Sequence, residues 1–204
     1  MATCYIKAIQ TVRPIGPYYL GGWSFCGVVA WEMARQLQVS GQEVALLALI
    51  DSYTLTTPLE QIDEAFITNS LLSDLGAIFG SEFSISDKEL QQLQPEEQLS
   101  RILTEAKPLN ILPPDIGIEQ MGQLFEVFKA NLKAMYDYRP LSYSGQTVLF
   151  CTSYEASEGG WSSLAAGTLE VYTIPGDHYG IMQEPHVQVL AKHLETCLES
   201  FVRQ

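Results

Sequence analysis

The sequence predicts an α/β fold: a parallel sheet flanked by helices, with a helical insertion partway along the chain. Three observations carry this. Apolar runs of strand length alternate with amphipathic helical runs, and that order implies a parallel sheet covered by helices. The run from Val44 to Ile50 is apolar almost throughout, as suits a strand buried on both faces. The string Tyr18-Tyr19-Leu20-Gly21-Gly22-Trp23-Ser24-Phe25-Cys26-Gly27 leads a short strand through a tight turn straight into a helix.

Taken in order, Ala2 to Val12 reads as a helix with Ile6 and Ile9 on one face. Pro14, Gly16 and Pro17 end it. Tyr18 to Leu20 is a strand, and Phe25 to Val39 a helix with Val28, Val29, Met33 and Leu37 near helical spacing. Gly41 is placed to cap that helix. After the Val44–Ile50 strand comes Asp51. Helical pieces follow around Glu60–Leu75, Asp87–Leu93 and Glu96–Thr104. Met121, Leu124, Phe125, Phe128, Leu132, Met135 and Tyr136 form an apolar stripe at helical spacing, read as a packing face. Gln146 to Cys151 and Leu169 to Ile174 are the third and fourth strands, and Pro185 to Phe201 is a closing amphipathic helix. The expected organisation is one domain, residues 1–204, interrupted by a helical lid insertion at 54–140.

The 204 residues suffice for a substantial core. A content of 47% apolar and 17% charged residues argues against disorder. The net charge of −13 argues against a nucleic-acid partner, because phosphates need a basic footprint. The charge is uneven: Pro58 to Glu126 holds thirteen acidic and three basic residues, whereas the first fifty-seven residues are balanced. The insertion therefore reads as a solvated acidic face, distinct from the segment carrying Ser24. Cys4, Cys26, Cys151 and Cys197 are scattered, with no spacing that suggests zinc or redox chemistry. No leader and no run of membrane-spanning length is present, so the expectation is a reduced, cytoplasmic protein without a membrane partner.

A serine hydroxyl needs a base to take its proton, and the base needs an acid to fix its tautomer. Ligand sites in parallel sheets lie outside the carboxyl ends of the strands. Ser24, Asp51 and the loop holding His178 each follow a predicted strand, which puts all three at one sheet edge. Of the three histidines, His178 lies in the glycine-flanked loop Ile174-Pro175-Gly176-Asp177-His178-Tyr179-Gly180. His186 and His193 fall on the closing helix and read as solvated. For the acid, Asp51 competes with Asp177, Glu155 and Glu158. Asp177 adjoins His178, and adjacent side chains rarely converge. The two glutamates follow the third strand. Asp51 ends a buried strand beside the elbow.

The string Gly16-Pro17-Tyr18-Tyr19-Leu20-Gly21-Gly22-Trp23-Ser24-Phe25, the run Ala45 to Tyr53, and Gly159 to Leu194 with its Gly-Asp-His-Tyr-Gly core resemble one family. It is the thioesterase domain that ends nonribosomal peptide synthetases and hybrid polyketide synthases. The resemblance implies an α/β-hydrolase fold with a helical lid, Ser24 as nucleophile, Asp51 as acid and His178 as base. It implies a small-molecule acyl or peptidyl substrate carried on the phosphopantetheine arm of an acyl or peptidyl carrier protein, with no metal and no cofactor in the domain itself. Hydrolysis or cyclisation would release the chain.

Two departures stand out. Cys26 replaces a family glycine, and the family has several strands before its elbow where this chain has one helix. The backbone N–H of Phe25 is then the one oxyanion donor that can be assigned, and losing its companion costs on the order of a hundred- to a thousandfold in rate. The elbow strand would lie at an open sheet edge that invites pairing with another chain, giving a homo-oligomer. The expectation is an N-terminally truncated domain that associates or is catalytically weak. Rival readings are a general carboxylester hydrolase and an inactive hydrolase-derived scaffold.

Overall fold

The computed structural model describes residues 1–54, 64–79, 87–90, 92–107, 115–153 and 160–202. The chain divides into two compact units, Met1–Thr56 with Tyr138–Gln204, and Thr57–Asp137. In the first, α1 (Ala2–Val12) precedes β1 (Tyr18–Trp23), α2 (Phe25–Val39) and β2 (Val44–Ile50). The second holds α3 (Glu64–Phe79), α4 (Asp87–Leu90), α5 (Pro95–Ala106) and α6 (Ile118–Asp137). The chain then returns to the first through β3 (Thr147–Cys151), the short α7 (Trp161–Leu164), β4 (Leu169–Thr173) and α8 (His186–Val202).

Among the described residues the four strands form one sheet in the order β1-β2-β3-β4, and every pairing is parallel. Sequence and structure differ at β1, which runs on to Trp23 rather than ending at Leu20. Gly21 and Gly22 weaken the local strand signal, yet they pair in register with Ala48 and Leu49. The carboxyl ends line up: Trp23 faces Ile50, Ile50 faces Phe150, and Phe150 faces Tyr172. Ser24 and Asp51 therefore leave neighbouring strands at the same height.

Side chains alternate across a strand, so the uniform apolar runs fill two cores. On one face Leu47, Leu49, Leu149 and Cys151 pack with Val28, Trp31 and Ala34 of α2 and with Trp161. On the other, Leu46, Ala48, Val148 and Phe150 pack with Ile174, Ile181, Leu190 and Cys197. The α2 helix ends as the sequence predicts. Gly41 is left-handed at φ 75°, its N–H bonds to the Gln38 carbonyl, and the N–H of Gln42 bonds to that of Leu37.

The second unit has its own core: Ile67, Leu71, Leu72 and Leu75 of α3, Ile102, Leu103 and Ala106 of α5, and Met121 and Phe125 of α6. A buried bond from the Thr68 hydroxyl to the Gln98 side-chain carbonyl, 2.8 Å, joins α3 to α5. The apolar stripe on α6 is a packing face as read, except that Leu124 is exposed. No described helix is long and apolar enough to cross a membrane.

Candidate active site

The β1–α2 turn puts Ser24 at φ 54° and ψ −127°, a strained conformation for any residue but glycine. The close approach that forces it is visible at two glycines. A Cβ on Gly22 would strike the backbone of Cys26, and one on Gly27 would strike the Ser52 side chain. Cys26 itself is exposed, so its thiol meets no such limit and the departure from a glycine there leaves the turn intact. The Ser24 N–H bonds to the Ile50 carbonyl, 2.9 Å, tying the elbow to β2.

Asp51 follows β2 with φ 40° and is fully buried. Ser24 and Asp51 are the two non-glycine residues with positive φ among the described residues. Strain of this kind concentrates at functional sites. His178 stands between them. Its Nδ1 lies 2.7 Å from Asp51 Oδ2, and its Nε2 lies 3.1 Å from Ser24 Oγ. A carboxylate only accepts, so Nδ1 carries the proton and Nε2 is left to accept from the serine hydroxyl.

Burial alone would raise the pKa of Asp51. Hydrogen bonds from His178, the Tyr53 hydroxyl and Thr152 outweigh it and hold the carboxyl below its usual range. Thr152 donates through both its backbone N–H, 2.9 Å, and its hydroxyl, 3.1 Å. Sequence reasoning missed Thr152 and Tyr53. The available signal was position: Thr152 is the first residue past β3, the neighbour of β2.

The alternatives fall elsewhere. Asp177 Oδ1 accepts from the N–H groups of Tyr179 and Gly180, at 3.1 and 2.7 Å, and so shapes the loop. His186 lies against Gly176 and Gly180, and the His193 ring packs against Tyr172. Glu155 and Glu158 lie outside the described residues. Phe25 opens α2, where the first N–H groups have no intrahelical acceptor and the helix dipole favours negative charge. Among the described residues no group of three or more His, Cys, Asp or Glu side chains is arranged to hold a metal ion. The assembled groups can take a proton from a serine hydroxyl and stabilise the resulting imidazolium.

Comparison with known proteins gives a consistent result. The family model of the thioesterase domain matches residues 1–198. The non-reducing polyketide synthase ntnG of Nectria sp is 28% identical over 202 residues, covering 97% of this chain and 10% of that one. Among solved structures, the four-domain nonribosomal peptide synthetase holo-AB3403 aligns with a TM-score of 0.89 and 32% identity, over 96% of this chain and 15% of that one. The NocB thioesterase domain from the nocardicin cluster aligns at 0.63 and 27% identity, over 98% of this chain and 72% of that one. The chain thus spans a tenth or less of the length of the first curated relatives it matches. The sheet described above has the α/β-hydrolase fold of these structural neighbours.

Proposed function

We propose that this chain, which belongs to the thioesterase domain family, releases an acyl or peptidyl chain from the phosphopantetheine thioester of a carrier protein by a Ser-His-Asp mechanism. The observation that carries the reading is the bonded series Ser24 Oγ, His178 Nε2, His178 Nδ1, Asp51 Oδ2. His178 takes the Ser24 proton as Oγ attacks the thioester carbonyl. The Phe25 N–H donates to the developing oxyanion. As the tetrahedral intermediate collapses, the carbon–sulfur bond breaks and His178 returns the proton to the departing thiolate. His178 then deprotonates water, or a hydroxyl or amine of the acyl chain, whose attack frees Ser24 and yields an acid or a ring. Asp51 stays ionised throughout.

The relatives named above include a polyketide synthase and a nonribosomal peptide synthetase, which supports a carrier-bound substrate and an acyl or peptidyl carrier protein as partner. Among the described residues of the unit that holds the site, β1 pairs with β2 alone. The reading extends to strand pairing at that edge, with a second copy as the simplest occupant; a monomer at all concentrations in light scattering would exclude it. In this reading residues 54–140 are the helical insertion of the domain, and four thiols without disulfides suit the cytoplasm.

The test is a fluorophosphonate probe followed by turnover assays. Wild type should label and Ser24→Ala should not. An acyl-pantetheine thioester should be turned over faster than a nitrophenyl ester. The reverse preference would mark a general carboxylester hydrolase, and unlabelled wild type an inactive scaffold.

A further inference from the structure

We propose that Trp23 is a positioning residue for the base: its indole secures the His178 loop to the tip of β1 and braces the imidazole through proton transfer. This rests on the reading of His178 as the base of Ser24. The need for such a device follows from the strand order. The loop leaves β4, three strand spacings or about 14 Å from β1, yet His178 must reach a serine at the end of β1. The bonds that Asp177 accepts from the N–H groups of Tyr179, Gly180 and Ile181 lie within the loop and its following turn. They shape it without carrying it across the sheet.

Beside the imidazole's own bonds to Asp51 and Ser24 and the Tyr53 ring 6.4 Å from it, Trp23 makes a crossing contact in two ways. Its Nε1–H donates to the backbone carbonyl of His178 at 3.1 Å, which fixes the main chain where the imidazole begins. Its ring lies on the imidazole, with centroids 5.1 Å apart and planes 28° from parallel. Tyr179 closes the group edge-on, 5.7 Å from Trp23 and 5.0 Å from His178. Trp23 is itself well held. It is the last residue of β1, paired with Ile50, and it packs on the core of Leu46, Phe150, Ile174 and Ile181.

This arrangement suits the chemistry. The indole face lies where it can attract the imidazolium that exists while His178 holds the serine proton. The stack also resists rotation of the ring away from Oγ. Trp23 has no titratable group and exchanges no proton; it acts through His178.

Two variants of the whole chain separate the contributions. Trp23→Phe keeps an aromatic face and loses the N–H, whereas Trp23→Leu loses both. With an acyl N-acetylcysteamine thioester, kcat should fall about tenfold in Trp23→Phe and about a hundredfold in Trp23→Leu, with KM unchanged in both. The downfield proton resonance of His178 Nδ1–H should persist in the Phe variant and be lost to exchange in the Leu variant. His178→Ala is measured alongside. If His178→Ala stays active, the base reading falls and this proposal falls with it. If His178→Ala is inactive but folded Trp23→Leu keeps wild-type kcat and the Nδ1 signal, the base stands and the role of Trp23 is refuted. Should the Leu variant not fold, the Phe variant decides by the same two readouts.

Discussion

Two side chains that carry the proposed chemistry, Ser24 and Asp51, also carry the backbone strain. Residues held at positive φ cost stability and persist where their surroundings over-determine them. For Asp51 the surroundings are His178, Tyr53 and Thr152, whose bonds keep the buried carboxyl ionised. Asp51→Asn keeps the shape but favours the wrong tautomer of His178, so kcat should fall by on the order of ten-thousandfold with KM little changed, as steady-state kinetics would show. A second carboxylate serves stability instead. Burial would raise the pKa of Glu32, but bonds from Arg35, Gln36 and Tyr138 bring it from 4.5 to about 2. Its folded-state pKa is depressed, so its contribution is complete above 4.5 and is lost as pH falls toward about 2. Glu32→Gln should therefore cost at most about 3 kcal/mol at neutral pH. That difference should vanish near pH 2 when urea unfolding of variant and wild type is compared.

At the scale of elements, the elbow depends on how closely α2 lies against β1 and the loop after β2. The Ser52 hydroxyl is buried without a hydrogen-bond partner and sits where a side chain on Gly27 would go. Gly27→Ala should cost about 1–3 kcal/mol through overpacking. Ser52→Gly, which clears the same space, should restore most of that in the double variant, a coupling that thermal unfolding would measure. Gly22→Ala has no such remedy, since its Cβ meets the backbone of Cys26. That variant should lose fluorophosphonate labelling even where circular dichroism shows a folded chain.

At the scale of the molecule, the two compact units have separate cores. Ile102→Ala, at the centre of the helical unit, should cost about 2–5 kcal/mol. Amide exchange should quicken in α3, α5 and α6, while β2 and α2 keep their protection. Most elements of the sheet unit were legible because their signals are local: the uniform apolar run of β2, the spacing on α2, the left-handed glycine at its end. The candidate triad was legible to the extent that Ser24, Asp51 and the loop holding His178 each follow a strand. Its supports were not. Three tryptophans each donate an indole N–H to a distant backbone carbonyl: Trp23 to His178, Trp31 to Leu141 and Trp161 to Ser52. Thr152 meets Asp51 only because β3 lies beside β2. Periodicity and turn chemistry act over a few residues, and so they are written in the chain itself. Which loops converge depends on strand order and register across separations of more than a hundred residues, and these exist only once the sheet has formed.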